Sequence, residues 1–135
     1  MRILRFSSAK ELLEHLDREL LSLKSSIEDL KSRIETLRRK AEVTRRVEDL
    51  LKEVTSKSFT EVSDVRLANV RILLNPQPRE ELEELEKVLE VTIMRFNNIE
   101  GLRNALRPLS ILGEEPMLIE LIDRDEGPQA IIIRI

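Results

Sequence analysis

Apolar positions along the chain fall into two periods. From Ser8 to about Ser58 they recur at alternating spacings of three and four: Leu13, Leu16, Leu20, Leu23, Ile27, Leu30, Ile34, Leu37 and Ala41. This is a heptad seam, longer than the three heptads that separate a coiled coil from chance. No Gly or Pro interrupts it, and Ser8-x-x-Glu11 at its head is a capping box. The pattern predicts a long N-terminal coiled-coil helix. Past Ala41 the seam positions pass to Thr44 and Glu48, while the apolar line continues through Val43, Val47, Leu50 and Val54. A three-residue shift of that kind interrupts a supercoil. The coiled coil proper is therefore expected between about Leu12 and Ala41, with the rest of the helix packing on the protein's own body.

Elsewhere the period is shorter. Arg2 to Phe6 reads as a small strand. After a loop at Phe59–Asp64, the β-branched run Val65 to Leu74 predicts a strand, with a continuation of helix as the competing reading. Asn75-Pro76-Gln77-Pro78 stops it and opens a second, shorter helix from about Arg79 to Arg107, apolar along Leu82, Leu85, Leu89, Ile93, Phe96, Ile99 and Leu106. Met117–Asp123 and Gln129–Ile135 read as strands joined by a hairpin connection at Arg124–Pro128. Both are almost continuously apolar, as strands covered on both faces tend to be. An Ile-Ile-Ile run at a sheet edge invites aggregation, so the last strand is expected to be central or paired with another chain. The prediction is an α+β fold of approximate order β-α-β-α-β-β, with a sheet of three to four strands ending in a C-terminal β-hairpin. Residues 1–58 form the strand and long helix and 59–135 a small α/β body, as one cooperative unit.

Length sharpens the question of what covers the seam. A helix of about fifty residues extends roughly 76 Å, whereas a compact domain of 135 residues measures about 37 Å across. The helix must project, bend or be covered by a partner. Its flanks are mostly basic: Asp17, Lys24, Lys31, Arg38, Arg45 and Lys52 at e, with Arg33 and Lys40 at g. A like-charge contact costs only a few tenths of a kcal/mol, far less than burying a leucine seam, so the charges choose among partners rather than prevent pairing. They favour an acidic helix, and the start of the second helix is one, with Glu80, Glu81, Glu83, Glu84, Glu86 and Glu90.

Charged residues reach 36% and apolar ones 41%, with no Cys and few Asn or Gln. That is the balance of a heat-adapted (thermophilic) intracellular protein with a real core. Without Cys there is no disulfide framework or thiolate metal site. A net charge of −3 exerts no global pull on nucleic acid or membrane. The apolar run after Met1 is too short for a signal peptide, and no stretch approaches a membrane span, so the expected location is cytoplasmic.

Candidate chemistry is sparse. His15 is the sole histidine and reads as a boundary residue. Asn97-Asn98, near Arg95, Glu100 and Arg103, reads as a solvated helix face or an asparagine fixing helix register. No Gly-rich loop, nucleophile elbow or metal-ligand spacing occurs, so no catalysis and no cofactor are expected. The function expected is a non-enzymatic oligomerisation or adaptor module, most simply a homodimer. Leu13, Leu16, Leu20, Leu23, Ile27, Leu30, Ile34 and Leu37 would form its protein interface. The second reading is nucleic-acid backbone binding by a dimer through Arg38, Arg39, Lys40, Arg45 and Arg46, with no aromatic side chain nearby for base stacking.

Overall fold

The computed structural model describes residues 1–55, 63–68, 70–74 and 77–135. Strand β1 (Arg2–Phe6) leads into helix α1 (Ala9–Thr55), followed by strands β2 (Ser63–Leu67) and β3 (Val70–Leu74) and helix α2 (Gln77–Ala105). A short 3-10 helix (Arg107–Leu112) precedes strands β4 (Leu118–Arg124) and β5 (Gly127–Arg134). The fold is α+β, with the long helix, the shorter helix and the C-terminal hairpin in the expected order. The chain divides into two compact units, one of Met1–Asp29 with Val88–Ile135 and the other of Leu30–Lys87.

In the first unit a three-stranded antiparallel sheet runs in the order β1-β4-β5. Pairing sets Leu4 opposite Leu121 and Phe6 opposite Ile119, and continues Leu121 to Ile131 and Ile119 to Ile133. These residues share the inward face. There Ile119 and Leu121 join Leu12 and Leu16 of α1 and Ile99 of α2 in a fully buried core, flanked by Leu4, Phe6, Leu102 and Ile131. Leu12, at a g position, is as buried as Leu16. The apolar stripe at the head of α1 is therefore wider than an a/d seam, as in a helix that packs on a globular core. Ser8 caps the helix by accepting a hydrogen bond from the Glu11 amide at 3.2 Å, and the Glu11 carboxylate accepts one from the Ser7 amide at 2.9 Å. The box is thus closed one residue earlier than its sequence motif implies.

Two expectations about the sheet are corrected. Of the two places expected for the last strand, the central one is not taken: β4 is central and β5 lies at the edge, because β1 pairs with β4 on the side that the hairpin leaves open. Nor is the sheet covered on both faces. On the outer face Ile3, Leu118 and Ile132 are 38–49% exposed, since both helices pack on the inner side. The β4–β5 turn is tight: Asp125 and Glu126 reverse the chain, and Gly127 follows at φ +134°. The Asn98 amide donates to the Glu126 carbonyl at 2.6 Å, fastening α2 to that turn.

In the second unit the extended reading of Val65–Leu74 holds over most of its length, but as two strands. Ala68 adopts φ +48°, and the chain folds back so that Ser63 pairs with Leu74 and Leu67 with Val70. The regular apolar alternation masked the turn at Ala68. β2–β3 form their own two-stranded sheet. The end of the long helix at residues 56–58, the loop at 59–62 and the Asn75-Pro76 stop lie outside the described residues. α2 begins at Gln77, two residues earlier than expected. Ile34, Leu37 and Leu85 are buried in this unit. Along α1 the original spacing continues, with Ala41, Thr44, Val47, Glu48 and Leu51 half-buried, whereas Val43, Leu50 and Val54 are 56–63% exposed. Of the shifted line only Val47 is half-buried, and its other three members face away: an uninterrupted helix keeps one face turned inward, and Thr44 and Glu48 are tolerated there half-buried. Among the described residues no helix is long and apolar enough to cross a membrane.

Candidate functional site

Four elements of the first unit bring four charges together. β1 supplies Arg2, α1 Glu19, α2 Arg95 and β4 Asp123. Arg95 binds Asp123 bidentately, Nη1 to Oδ1 at 2.9 Å and Nη2 to Oδ2 at 2.8 Å. It also donates to Glu19 at 3.2 Å and to the Arg124 carbonyl at 2.7 Å. Arg2 reaches both carboxylates, at 2.8 Å to Asp123 and 3.2 Å to Glu19. The Asp123 side chain is only 4% exposed and that of Arg95 15%. Burial alone would push the Asp123 carboxyl up, but hydrogen bonds from Arg95 and Arg2, with their charges, hold it below the usual carboxylate range. The hydrogen bond to Asp123 in turn holds the Arg95 guanidinium above its ordinary value. Beside the cluster lies an open cleft of about 500 Å³, walled also by Leu23 and Val91.

His15 stands one turn before Glu19, its Nε2 3.6 Å from the carboxylate, with its ring tilted against Phe6 at 5.1 Å. Burial lowers the imidazole pKa, and Glu19 pulls the other way. The charges in the cluster sum to zero, and each carboxylate is engaged by arginine. Among the described residues no buried side-chain nitrogen or oxygen lacks a partner. The arrangement braces four elements against one another. Sequence reasoning named Arg95 without a role and missed Arg2, Glu19 and Asp123. The signal was there: Asp123 ends the apolar run MLIELID, and Arg95 interrupts an apolar stretch of α2.

Of the seam residues, Leu13 and Leu16 are buried in the first unit, where Leu20 and Leu23 pack against the same core. Ile27 is half-buried there. In the second unit Ile34 and Leu37 are buried and Leu30 half-buried. The acidic complement of the basic flanks is found within the chain. Arg33 pairs with Glu81 at 3.7 Å and Arg38 with Glu86 at 3.0 Å. In the first unit Arg103 of α2 binds Asp17 at 2.7 Å. In the basic cluster, Arg39 bonds Glu35 and Arg46 bonds Glu42 along α1 itself. Lys40 and Arg45 form no ion pair among the described residues. No group of three or more acidic or histidine side chains placed to hold a metal occurs among them.

No protein-family model, curated protein or solved structure matches the chain.

Proposed function

We propose that the chain is a non-enzymatic oligomerisation and adaptor module, acting through apolar surface carried on rigid elements. The observation that carries this reading is the line Val43, Leu50 and Val54, each more than half exposed. With the half-buried Val47 it repeats the four-three-four spacing of a coiled-coil seam along one side of a long helix. The exposed isoleucines of the sheet add a second apolar surface of the same kind. The charged cluster supports the reading indirectly: its groups are bonded to one another, which suits bracing of a scaffold. The seam from Leu13 to Leu37 is largely used inside the chain, so the surface offered to partners lies off it.

Light scattering at two concentrations a hundredfold apart tests the reading. A dimer or larger species at the higher concentration is expected, and a monomer at both rejects self-association. Backbone binding to nucleic acid through Arg38, Arg39, Lys40, Arg45 and Arg46 has weaker support, because carboxylates engage three of the five.

A further inference from the structure

We propose that β5 is a dimerisation edge, along which two copies of this chain join antiparallel into one six-stranded sheet with the two-fold axis at Ile132. The inference rests on the oligomerisation reading above and names the surface that serves it.

Edge strands are normally protected by charge, proline or a bulge. The stretch Ala130–Ile133 has no charge and no proline, and the register shift of the β4–β5 pair lies towards the turn, at Ile122/Asp123. Arg134, the only charge on β5, bonds Glu120 of the neighbouring strand. The opposite edge, β1, carries Arg2 and Arg5. Both faces of β5 leave isoleucine uncovered, Ile132 outward at 38% and Ile133 inward at 46%.

Register then selects the occupant. Residues directly opposite each other in an antiparallel pair share a face and pack together. With the axis at Ile132, Ile131 faces Ile133 of the second copy and Ala130 faces its Arg134. Added to the pairing within each sheet, the inward row reads Phe6, Ile119, Ile133, then Ile131, Leu121 and Leu4 of the second copy. It is apolar throughout. The outward row reads Arg5, Glu120, Ile132, then Ile132, Glu120 and Arg5 of the second copy. Opposite charges are neighbours, and the two glutamates stand three strands apart, about 14 Å, beyond the screening length of about 8–10 Å. Moving the axis to Ile133 sets Arg134 against Ile132, and moving it to Ile131 sets Ile133 against Gln129. The Ile132 axis alone sets isoleucine against isoleucine on both faces and leaves Arg134 opposite only the small Ala130, and a second copy of β5 supplies that register. A single strand joint is small beside the roughly 1,200–2,000 Å² of stable interfaces, so the dimer is expected to dissociate on dilution.

The chain has no cysteine, so Ile132→Cys introduces a unique thiol. Directly opposite Cα atoms lie about 4.5–5.5 Å apart, within disulfide reach. Oxidation of the Ile132→Cys chain is expected to give a covalent dimer, and Ile3→Cys on the far strand is not. Ile132→Lys and Ile132→Glu, each alone, are expected to raise the dimer dissociation constant at least tenfold, and an equimolar mixture to restore the dimer. A wild-type monomer at all concentrations rejects the oligomerisation reading itself. A wild-type dimer whose Ile132→Cys variant does not cross-link, or whose charged variants still dimerise, overturns the β5 edge and leaves that reading standing. The cysteine arm keeps the test valid where a charged variant does not fold.

Discussion

Asp123 is a charge placed where the inward face of β4 otherwise carries isoleucine and leucine. It is tolerated because Arg95 and Arg2 come with it, and that dependence makes it fragile. Removing one member of a buried, hydrogen-bonded ion cluster leaves the others desolvated without compensation, at a cost of about 3–5 kcal/mol. Asp123→Asn should therefore lower the urea unfolding midpoint well below wild type, whereas Glu114→Gln, which removes the exposed pair with Lys10, should change stability by less than about 1 kcal/mol. The pH dependence has a definite sign. Because the folded Asp123 pKa is depressed, its contribution is present above the unfolded value of about 3.9 and is lost as pH falls towards the lower folded value. His15 acts in the same direction through the opposite chemistry. Its folded pKa is lowered, so the unfolded chain binds the proton more readily, and stability falls on acidification below about 6.5. Unfolding midpoints of wild type, Asp123→Asn and His15→Gln between pH 7 and pH 3 should show the steeper losses in wild type.

At the scale of elements, α1 shows how far a period carries. The seam spacing identified the buried face of the helix from Leu13 to Leu37, and the same spacing continues to Leu51. What it could not distinguish was a partner's helix from the chain's own, because a leucine face is satisfied equally by either. Leu16 and Leu21 expose the difference between the two sides of α1. Leu16→Ala opens a cavity in the core and should cost about 2–5 kcal/mol. Leu21, 71% exposed, should change stability by less than about 0.5 kcal/mol on the same substitution. The β4–β5 turn is the other sensitive element. At Gly127 a Cβ would sit 2.9 Å from Cβ of Asn98 on a backbone with φ +134°. Gly127→Ala should therefore cost about 1–3 kcal/mol, measured by thermal unfolding, through strain at the turn and loss of the Asn98 anchor. The turn between β2 and β3 went unread because alternating valines, leucines and isoleucines lie on both sides of it.

For the whole molecule, the decisive quantity is the apolar surface that the fold leaves uncovered. Besides Leu21, Ile111 and the α2 residues Val88, Val91 and Met94, it lies on the outer sheet face, the β5 edge and at Val43, Leu50 and Val54, none of which belongs to the heptad seam. Self-association should accordingly survive Ile27→Ser and fail with Ile132→Lys. In the basic segment, pairing of Arg38, Arg39 and Arg46 with glutamates leaves little charge to displace counterions. Mixed duplex DNA is therefore expected not to bind at about 50 mM salt, and steeply salt-dependent binding would reverse that assignment. The charge-rich, cysteine-free composition predicts heat resistance, checked by an unfolding midpoint above about 70 °C against the roughly 45–65 °C of mesophilic domains.

By itself the sequence determined what local physics can determine: two helices, the strands at both ends of the chain, the cap at Ser8, and which face of α1 avoids water. Each follows from spacing or from a side chain acting within a few residues of itself. Tertiary structure alone decided that β1 flanks β4 and sends β5 to the edge, that the acidic start of α2 answers Arg33 and Arg38 of the same chain, and that Arg2, Glu19, Arg95 and Asp123 meet. Those outcomes join residues from 17 to 121 positions apart. No local period records such pairings, because they depend on which of several chemically equivalent surfaces reach one another when the chain closes.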